Sequence, residues 1–147
     1  MNPVRYLILV LVIIAAALTI ARADESLDAL KHRAETAPLQ DQPGLFAQIA
    51  ERQLKAANDL YNAGKVDEAR AAVDDIVTYS NKAAAAATKS GKKLKNVEIA
   101  LRKIAEKLRD IQRTLAFEDQ APVQAAIDRL ESLRTQLLTR MFEKKPK

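Results

Sequence analysis

One segment of the sequence carries an apolar repeat regular enough to determine the kind of fold. Its large apolar residues are spaced alternately three and four positions apart, as in a helix that packs along a narrow seam. They are Leu94, Val97, Leu101, Ile104, Leu108, Ile111 and Leu115. The repeat predicts a helix over about residues 92–118 that packs against a neighbouring helix at roughly +20°.

Glycine and proline are rare in the rest of the chain, and they divide it into long stretches of helix-forming residues. Three glycines and five prolines occur in 147 residues, and both residue types mark breaks. Ala, Leu, Lys, Arg, Glu and Gln dominate between the breaks. We predict four long helices, over about residues 43–63, 65–89, 92–118 and 122–142. No stretch shows the polar–apolar alternation of a strand.

Short turns join the four predicted helices, so consecutive helices are expected to pack as antiparallel neighbours. The predicted fold is therefore all-α, with an antiparallel up-down bundle over residues 44–143. A shorter segment, residues 24–37, has one weak apolar stripe and ends at Pro38. With the linker that reaches residue 43, it is expected to form a loosely docked helical arm. Residues 144–147 form a basic tail.

The first 23 residues have the composition of a secretory signal peptide. Arg5 precedes an apolar run from Tyr6 to Ala21, and Ala21-Arg22-Ala23 supplies the small residues that signal peptidase accepts. A run of about 16 residues is short for a bilayer span. We therefore predict cleavage before Asp24 and export to the periplasm or the medium, with an uncleaved membrane anchor as the alternative. The chain has no cysteine, which excludes disulfides and lipidated cysteine.

Basic residues concentrate in the third of the long helices. Removing residues 1–23 removes Arg5 and Arg22, so 22 Lys and Arg remain against 19 Asp and Glu, a net charge of +3. Nine of these bases lie between residues 89 and 113, among only three acids. A ridge of this kind can hold an anionic partner. The candidate face consists of Lys95, Arg102, Lys103, Arg109 and Arg113.

The sequence alone favours an ordinary solvated helix face as the interpretation of this charge run, because charge runs are usually exposed faces. Acidic side chains on the preceding predicted helix could neutralise part of the ridge. They are Asp67, Glu68, Asp74 and Asp75.

The residues that active sites and cofactor sites require are scarce. His32 is the only histidine, with charged neighbours that predict an exposed position, and no Glu-x-x-His spacing exists for a di-iron site. With no cysteine and a single histidine, a closed zinc site is not expected, and no glycine-rich phosphate loop occurs. We therefore predict no catalytic residue, no cofactor and no metal, and a protein that is not an enzyme. Tryptophan is absent, which makes a base-stacking surface for nucleic acid unexpected.

The turn between the first two long helices resembles two known helix hairpins. Tyr61, Gly64, Val66 and Ala69 match the inter-helix turn of a tetratricopeptide repeat, and the run from Gly64 to Ala69 is similar to a turn of the periplasmic four-helix b-type cytochromes. No second copy follows at the repeat period of about 34 residues. The cytochrome's haem-ligating histidine falls on Ala84, which cannot bind iron. The resemblance implies a helix hairpin only.

Two functional hypotheses follow from the sequence. The first is an exported, non-enzymatic helical bundle that acts by contact with another protein or with itself, as an adaptor, a chaperone-like factor or a structural component. The second is electrostatic binding of an anionic envelope polymer or a lipid surface through the candidate face and the basic tail.

Overall fold

The computed structural model describes residues 25–143, and within that range it contains helices and turns without a strand. The helices are α1 (Leu27–Thr36), α2 (Gln42–Asn62), α3 (Val66–Ser90), α4 (Leu94–Thr114) and α5 (Phe117–Phe142). The all-α prediction is thus confirmed. The predicted signal peptide and the basic tail lie outside the described residues. None of the helices in the described range is long and apolar enough to cross a membrane.

The apolar repeat of α4 faces the interior of the molecule. Its five central residues, Val97, Leu101, Ile104, Leu108 and Ile111, are buried, while Leu94 and Leu115 pack at the two margins of the core. The same core contains buried residues of all five helices. The repeat therefore serves folding of the chain itself.

The boundary between α4 and α5 differs from the prediction. Helix α4 ends at Thr114, and α5 begins at Phe117, five residues before Pro122. The extended backbone of Leu115 and Ala116 makes the turn, and acids in the next two positions favour a helix amino end there. Pro122, expected at the start of the helix, lies inside it and removes one backbone hydrogen bond. Asp119 lies in the first turn of α5.

The long helices form two hairpins that contact each other side by side. Helices α2 and α3 are one antiparallel pair, and α4 and α5 are the other. Across the hairpins, α3 packs beside α5 and α2 beside α4, whereas the consecutive helices α3 and α4 contact each other much less. Arg70 binds Asp119 and Asn81 binds Arg129, so α3 and α5 run parallel. The consecutive helices α3 and α4 are therefore not close neighbours, and the predicted up-down order of all four long helices is not confirmed.

Helix α1 is firmly docked, and the prediction of a loose arm was wrong. Leu30 and Ala34 are fully buried. Lys31 lies 3.2 Å from Asp75 of α3, and Lys82 of α3 binds Glu35. Two apolar residues on one face are enough to dock α1, because the α2–α3 hairpin offers an apolar surface to them. The two ion pairs lie beside this apolar contact. His32 is exposed, as predicted.

Candidate functional site

Helix α4 presents much of its positive charge on the side opposite its buried seam. Successive residues of a helix are rotated by about 100°. Lys95 and Arg102 come one position after the seam residues Leu94 and Leu101. Lys103 comes two positions after Leu101. All three side chains are exposed. The seam thus fixes the direction of these bases, because burial of the apolar face determines the rotation of the helix.

The other two candidate residues make ion pairs. Arg109 is half-buried and its guanidinium lies 2.7 Å from a carboxylate oxygen of Glu131 on α5. Arg113 is exposed and lies 3.4 Å from Asp110 of its own helix. The structure therefore assigns Arg109 to the α4–α5 contact, whereas Arg113 stays on the surface with a weak partner.

The contact that takes up Arg109 is an ion-pair network between α4 and α5. Arg134 lies 2.7 Å from Glu98, which is 8% exposed, and 2.7 Å from Glu131. Burial lowers the pKa of Arg134, but its hydrogen bond to Glu98 and the nearby charges of Glu131 and Glu98 outweigh burial and leave that pKa raised. A partly buried network of this kind fixes the register of two helices.

The basic residues without an ionic partner are concentrated in one part of the surface. Among residues 25–143, most bases of the other helices pair with an acid or bind an amide or carbonyl oxygen. Between residues 89 and 107, in contrast, every base is exposed and has no acid of the described residues within 4.0 Å. We call these residues the basic surface: Lys89, Lys92, Lys93, Lys95, Arg102, Lys103 and Lys107.

The acids of α3 do not neutralise the basic surface. Asp75 binds Lys31 and Gln53, and Asp67 lies 4.0 Å from Arg70 of its own helix. Asp74 and Glu68 are exposed, but they belong to α3, which contacts α4 less than α2 and α5 do. If the basic surface were only a solvated helix face, acids of α3 would be expected to neutralise part of it. The ion pairs of these acids are made elsewhere.

The basic surface begins in a turn with unusual backbone geometry. Lys93 has a φ of 58° and Gly91 a φ of 67°. The left-handed region suits glycine and is unfavourable for a lysine by roughly 1–2 kcal/mol. The Lys93 side chain lies over Gly44 at the start of α2, where an added Cβ would stand 3.4 Å from its Nζ atom. The turn thus holds a strained lysine at the surface.

Four members of the basic surface were not among the residues predicted from the sequence: Lys89, Lys92, Lys93 and Lys107. For Lys89, Lys92 and Lys93 a signal was present, because no acid lies three or four positions away on either side. Lys107 has Asp110 three positions later, and only the structure shows that Asp110 binds Arg113 instead.

The grooves between helices offer no comparable concentration of positive charge. One groove, about 530 Å³, lies between α2 and α4 and is lined by charges of both signs, Glu51 and Asp110 against Lys55 and Lys107. A second, about 490 Å³, lies between α3 and α5 over Ala84 and Ala85. Residues 25–143 contain no group of three or more His, Cys, Asp or Glu that could hold a metal ion.

The features that bear on function are thus one exposed basic surface and its strained turn. Comparison of the sequence with models of protein families found no match, and neither did comparison with curated proteins or with solved structures.

Proposed function

We propose that this chain is an exported, non-enzymatic helical-bundle protein that binds an anionic component of the cell envelope through the basic surface. The observation that carries the proposal is the lack of ionic partners for the bases from Lys89 to Lys107. A protein that needed these charges only for solubility would gain as much from charges interspersed with acids. Clustered, unneutralised charge instead raises the potential at one site, where it attracts polyanions.

The distribution of charge over the molecule supports a directional contact. The exposed acids Asp67, Glu68 and Asp74 belong to the first half of α3, whereas Lys89 of the basic surface lies near the other end of that helix. A polyanion would therefore meet attraction at the basic surface and repulsion at the first half of α3, which orients the bound protein.

Binding of inorganic polyphosphate by the chain that begins at Asp24 tests the proposal. We expect binding whose affinity falls steeply as salt rises, because each phosphate contact releases a condensed counterion. Replacement of Lys95, Arg102 and Lys103 by glutamate should weaken binding at least about tenfold, since each charge near an anionic surface contributes about 1 kcal/mol.

A matched variant separates position from net charge. Lys55, Lys65 and Arg129 are exposed bases outside the basic surface, and their replacement by glutamate changes the net charge by the same amount. This control should lose clearly less affinity than the first variant. Equal losses would mean that only net charge matters, and absence of binding by the unchanged protein would exclude the proposal.

Contact with another protein is the second candidate, and one exposed aromatic ring favours it. Phe117 begins α5 and is 88% exposed, at the end of the molecule where Arg70 binds Asp119. The α4 seam no longer supports this candidate, because the seam lies in the core. An apolar contact at Phe117 would persist at high salt. Sedimentation of the unchanged protein and of Phe117→Ser in high salt, over a range of concentrations, tests self-association by this route.

A further inference from the structure

We infer that the carboxyl-terminal turn of α5 inserts into an anionic phospholipid bilayer, with the basic surface against the headgroups. This inference rests on the proposed function and specifies its target, because it names a lipid surface among the possible polyanions. The juxtaposition that carries it is a pair of exposed apolar side chains, Leu138 and Phe142, at the end of the molecule where the basic surface begins.

Leu138 and Phe142 form a small apolar patch that does not contribute to the buried core. They are four residues apart and so share one side of α5. Leu138 is 36% exposed and Phe142 is 80% exposed, whereas the preceding Leu137 is fully buried. The end of α5 thus exposes a leucine and a phenylalanine to water, and the last buried core residue of the helix is Leu137.

The register of the two hairpins places this patch beside the basic surface. Arg134 binds Glu98, and α4 and α5 run antiparallel, so one turn further along α5 Leu138 is level with the first turn of α4, where Lys95 lies. On the other flank, Leu137 lines the same groove as Lys89 of α3. The patch itself lies on the α4 side of α5, because Leu138 follows Arg134 by four positions, and it is therefore beside Lys95.

The α1–α2 turn reaches the same end of the molecule. Lys93 lines a groove together with Pro38 and Leu45, and the adjoining Leu39 is 36% exposed. Three chain segments thus present apolar side chains and lysines at one end. The acids near this end include Asp41, Glu35, which is paired with Lys82, and Glu143, which is paired with Arg140. The sequence continues from this end with Lys144, Lys145 and Lys147.

Anionic lipid fits this combination better than a soluble polymer does. Surface-bound helices place apolar side chains a few ångströms into the acyl boundary and lysines at the headgroups. A polyanion in water would use the lysines and leave the phenylalanine exposed. The opposite end of the molecule shows the contrast, since Phe117 is followed directly by Glu118 and Asp119 and would be repelled by anionic headgroups.

A single-tryptophan experiment tests insertion directly, because the chain contains no tryptophan. Phe142→Trp and Phe117→Trp are made in the chain that begins at Asp24, which retains every residue of the core. Each is mixed with vesicles of phosphatidylcholine containing about a third phosphatidylglycerol, and with vesicles of phosphatidylcholine alone. Tryptophan emission shifts to shorter wavelength when the ring leaves water.

We expect a blue shift and quenching by bromine-labelled lipid for Phe142→Trp with the anionic vesicles only, and neither for Phe117→Trp. Leu138→Ser with Phe142→Ser should weaken vesicle binding about tenfold or more, through loss of buried apolar area, while polyphosphate binding stays unchanged. Circular dichroism of each variant verifies that the fold is retained.

The outcomes separate this inference from the proposed function. Binding of polyphosphate without a blue shift at position 142 would overturn insertion and leave the proposed function standing. Equal shifts at positions 142 and 117, or binding to uncharged vesicles, would also overturn it, because neither orientation nor charge would then matter. Failure of both polyphosphate and vesicle binding would remove both proposals.

Discussion

Lys93 combines backbone strain with a charge of the basic surface, so one substitution can separate stability from binding. It is the only residue other than glycine with a positive φ among residues 25–143. We expect Lys93→Gly to raise the free energy of unfolding by up to about 1 kcal/mol, because glycine adopts the left-handed region freely. The same change should weaken polyphosphate binding about fivefold through loss of one charge.

Lys92→Gly is the matched control for that prediction. Lys92 is exposed, carries the same charge and has no positive φ. Its replacement should weaken binding similarly but lower stability, because glycine increases the entropy of the unfolded chain. Urea unfolding measures the change in stability of both variants. A stability loss in Lys93→Gly equal to that in Lys92→Gly would show that the backbone of Lys93 is not strained.

Tyr61 makes stability depend on pH in the alkaline range. Its hydroxyl is buried without a hydrogen-bond partner. Burial raises the pKa of Tyr61 above its ordinary value of 10.0; the charge of Arg70 lowers it, and those of Asp119 and Asp74 raise it. Above pH 10 the unfolded chain loses the phenolic proton while the folded protein keeps it, so stability falls until the raised pKa is reached.

We therefore expect Tyr61→Phe to gain stability relative to the unchanged protein as the pH rises above 10, and to be nearly neutral at pH 7. Denaturant unfolding at several pH values measures the difference. A direct readout comes from the chain that begins at Asp24 with Tyr79→Phe, in which Tyr61 is the only tyrosine. Its tyrosinate absorbance should titrate above pH 10, and titration at or below 10 would contradict the assigned burial.

At the scale of single helices, α4 gives the sharpest test of packing. Ile104 is 1% exposed, and Ile104→Ala should lower the free energy of unfolding by about 2–5 kcal/mol, because burial is lost and a cavity remains. Ile99, on the same helix, is only partly buried, so Ile99→Ala should cost less than half as much.

Thermal melts at two protein concentrations about tenfold apart complete that test. The core holds the seam of one chain, so the loss in Ile104→Ala should not change with concentration. A concentration-dependent loss would place part of the seam between two copies, and equal losses at positions 99 and 104 would contradict the rotation of α4.

The rotation of α4 was predictable because its apolar residues repeat without interruption, and the exposed Lys95, Arg102 and Lys103 follow from it. Other features depend on contacts between distant segments. The docking of α1 depends on Lys31 finding Asp75 and on Glu35 finding Lys82, which are more than forty positions apart.

The helix boundary and the site were also only partly readable from the sequence. Pro122 suggested a helix start, but extended backbone at Leu115 and Ala116 precedes it and moves the start to Phe117. Arg109 shares the seven-residue period of the basic ridge, yet its helix flank faces α5, where Glu131 binds it. Local periodicity cannot reveal which neighbour a flank will meet.

At the scale of the whole molecule, the two hairpins separate charge. The α2–α3 and α4–α5 turns share one end, where Asp67, Glu68 and Glu118 are exposed. The opposite end carries the α3–α4 turn with Lys92 and Lys93. Parallel packing of α3 with α5 and of α2 with α4 brings these turns together, so the helix arrangement itself concentrates positive charge where the apolar patch lies.

Glu25 and Ser26 come just after the predicted cleavage site and take part in the fold. The carboxylate of Glu25 binds Arg33, and its carbonyl oxygen accepts a hydrogen bond from Arg52. The side chain of Ser26 accepts a hydrogen bond from the Ala29 N–H and so caps α1. Cleavage before Asp24 would preserve all of these interactions.

We therefore expect the full chain, expressed in a bacterium with a periplasm, to yield a periplasmic product whose mass spectrum begins at Asp24. A chain that begins at Leu27 provides the comparison, because it lacks Glu25 and the Ser26 cap and should be less stable by about 1 kcal/mol or more. Recovery of a product with intact Met1 in the membrane fraction would instead support an uncleaved anchor. Arg5 holds the amino terminus on the cytoplasmic side in either case.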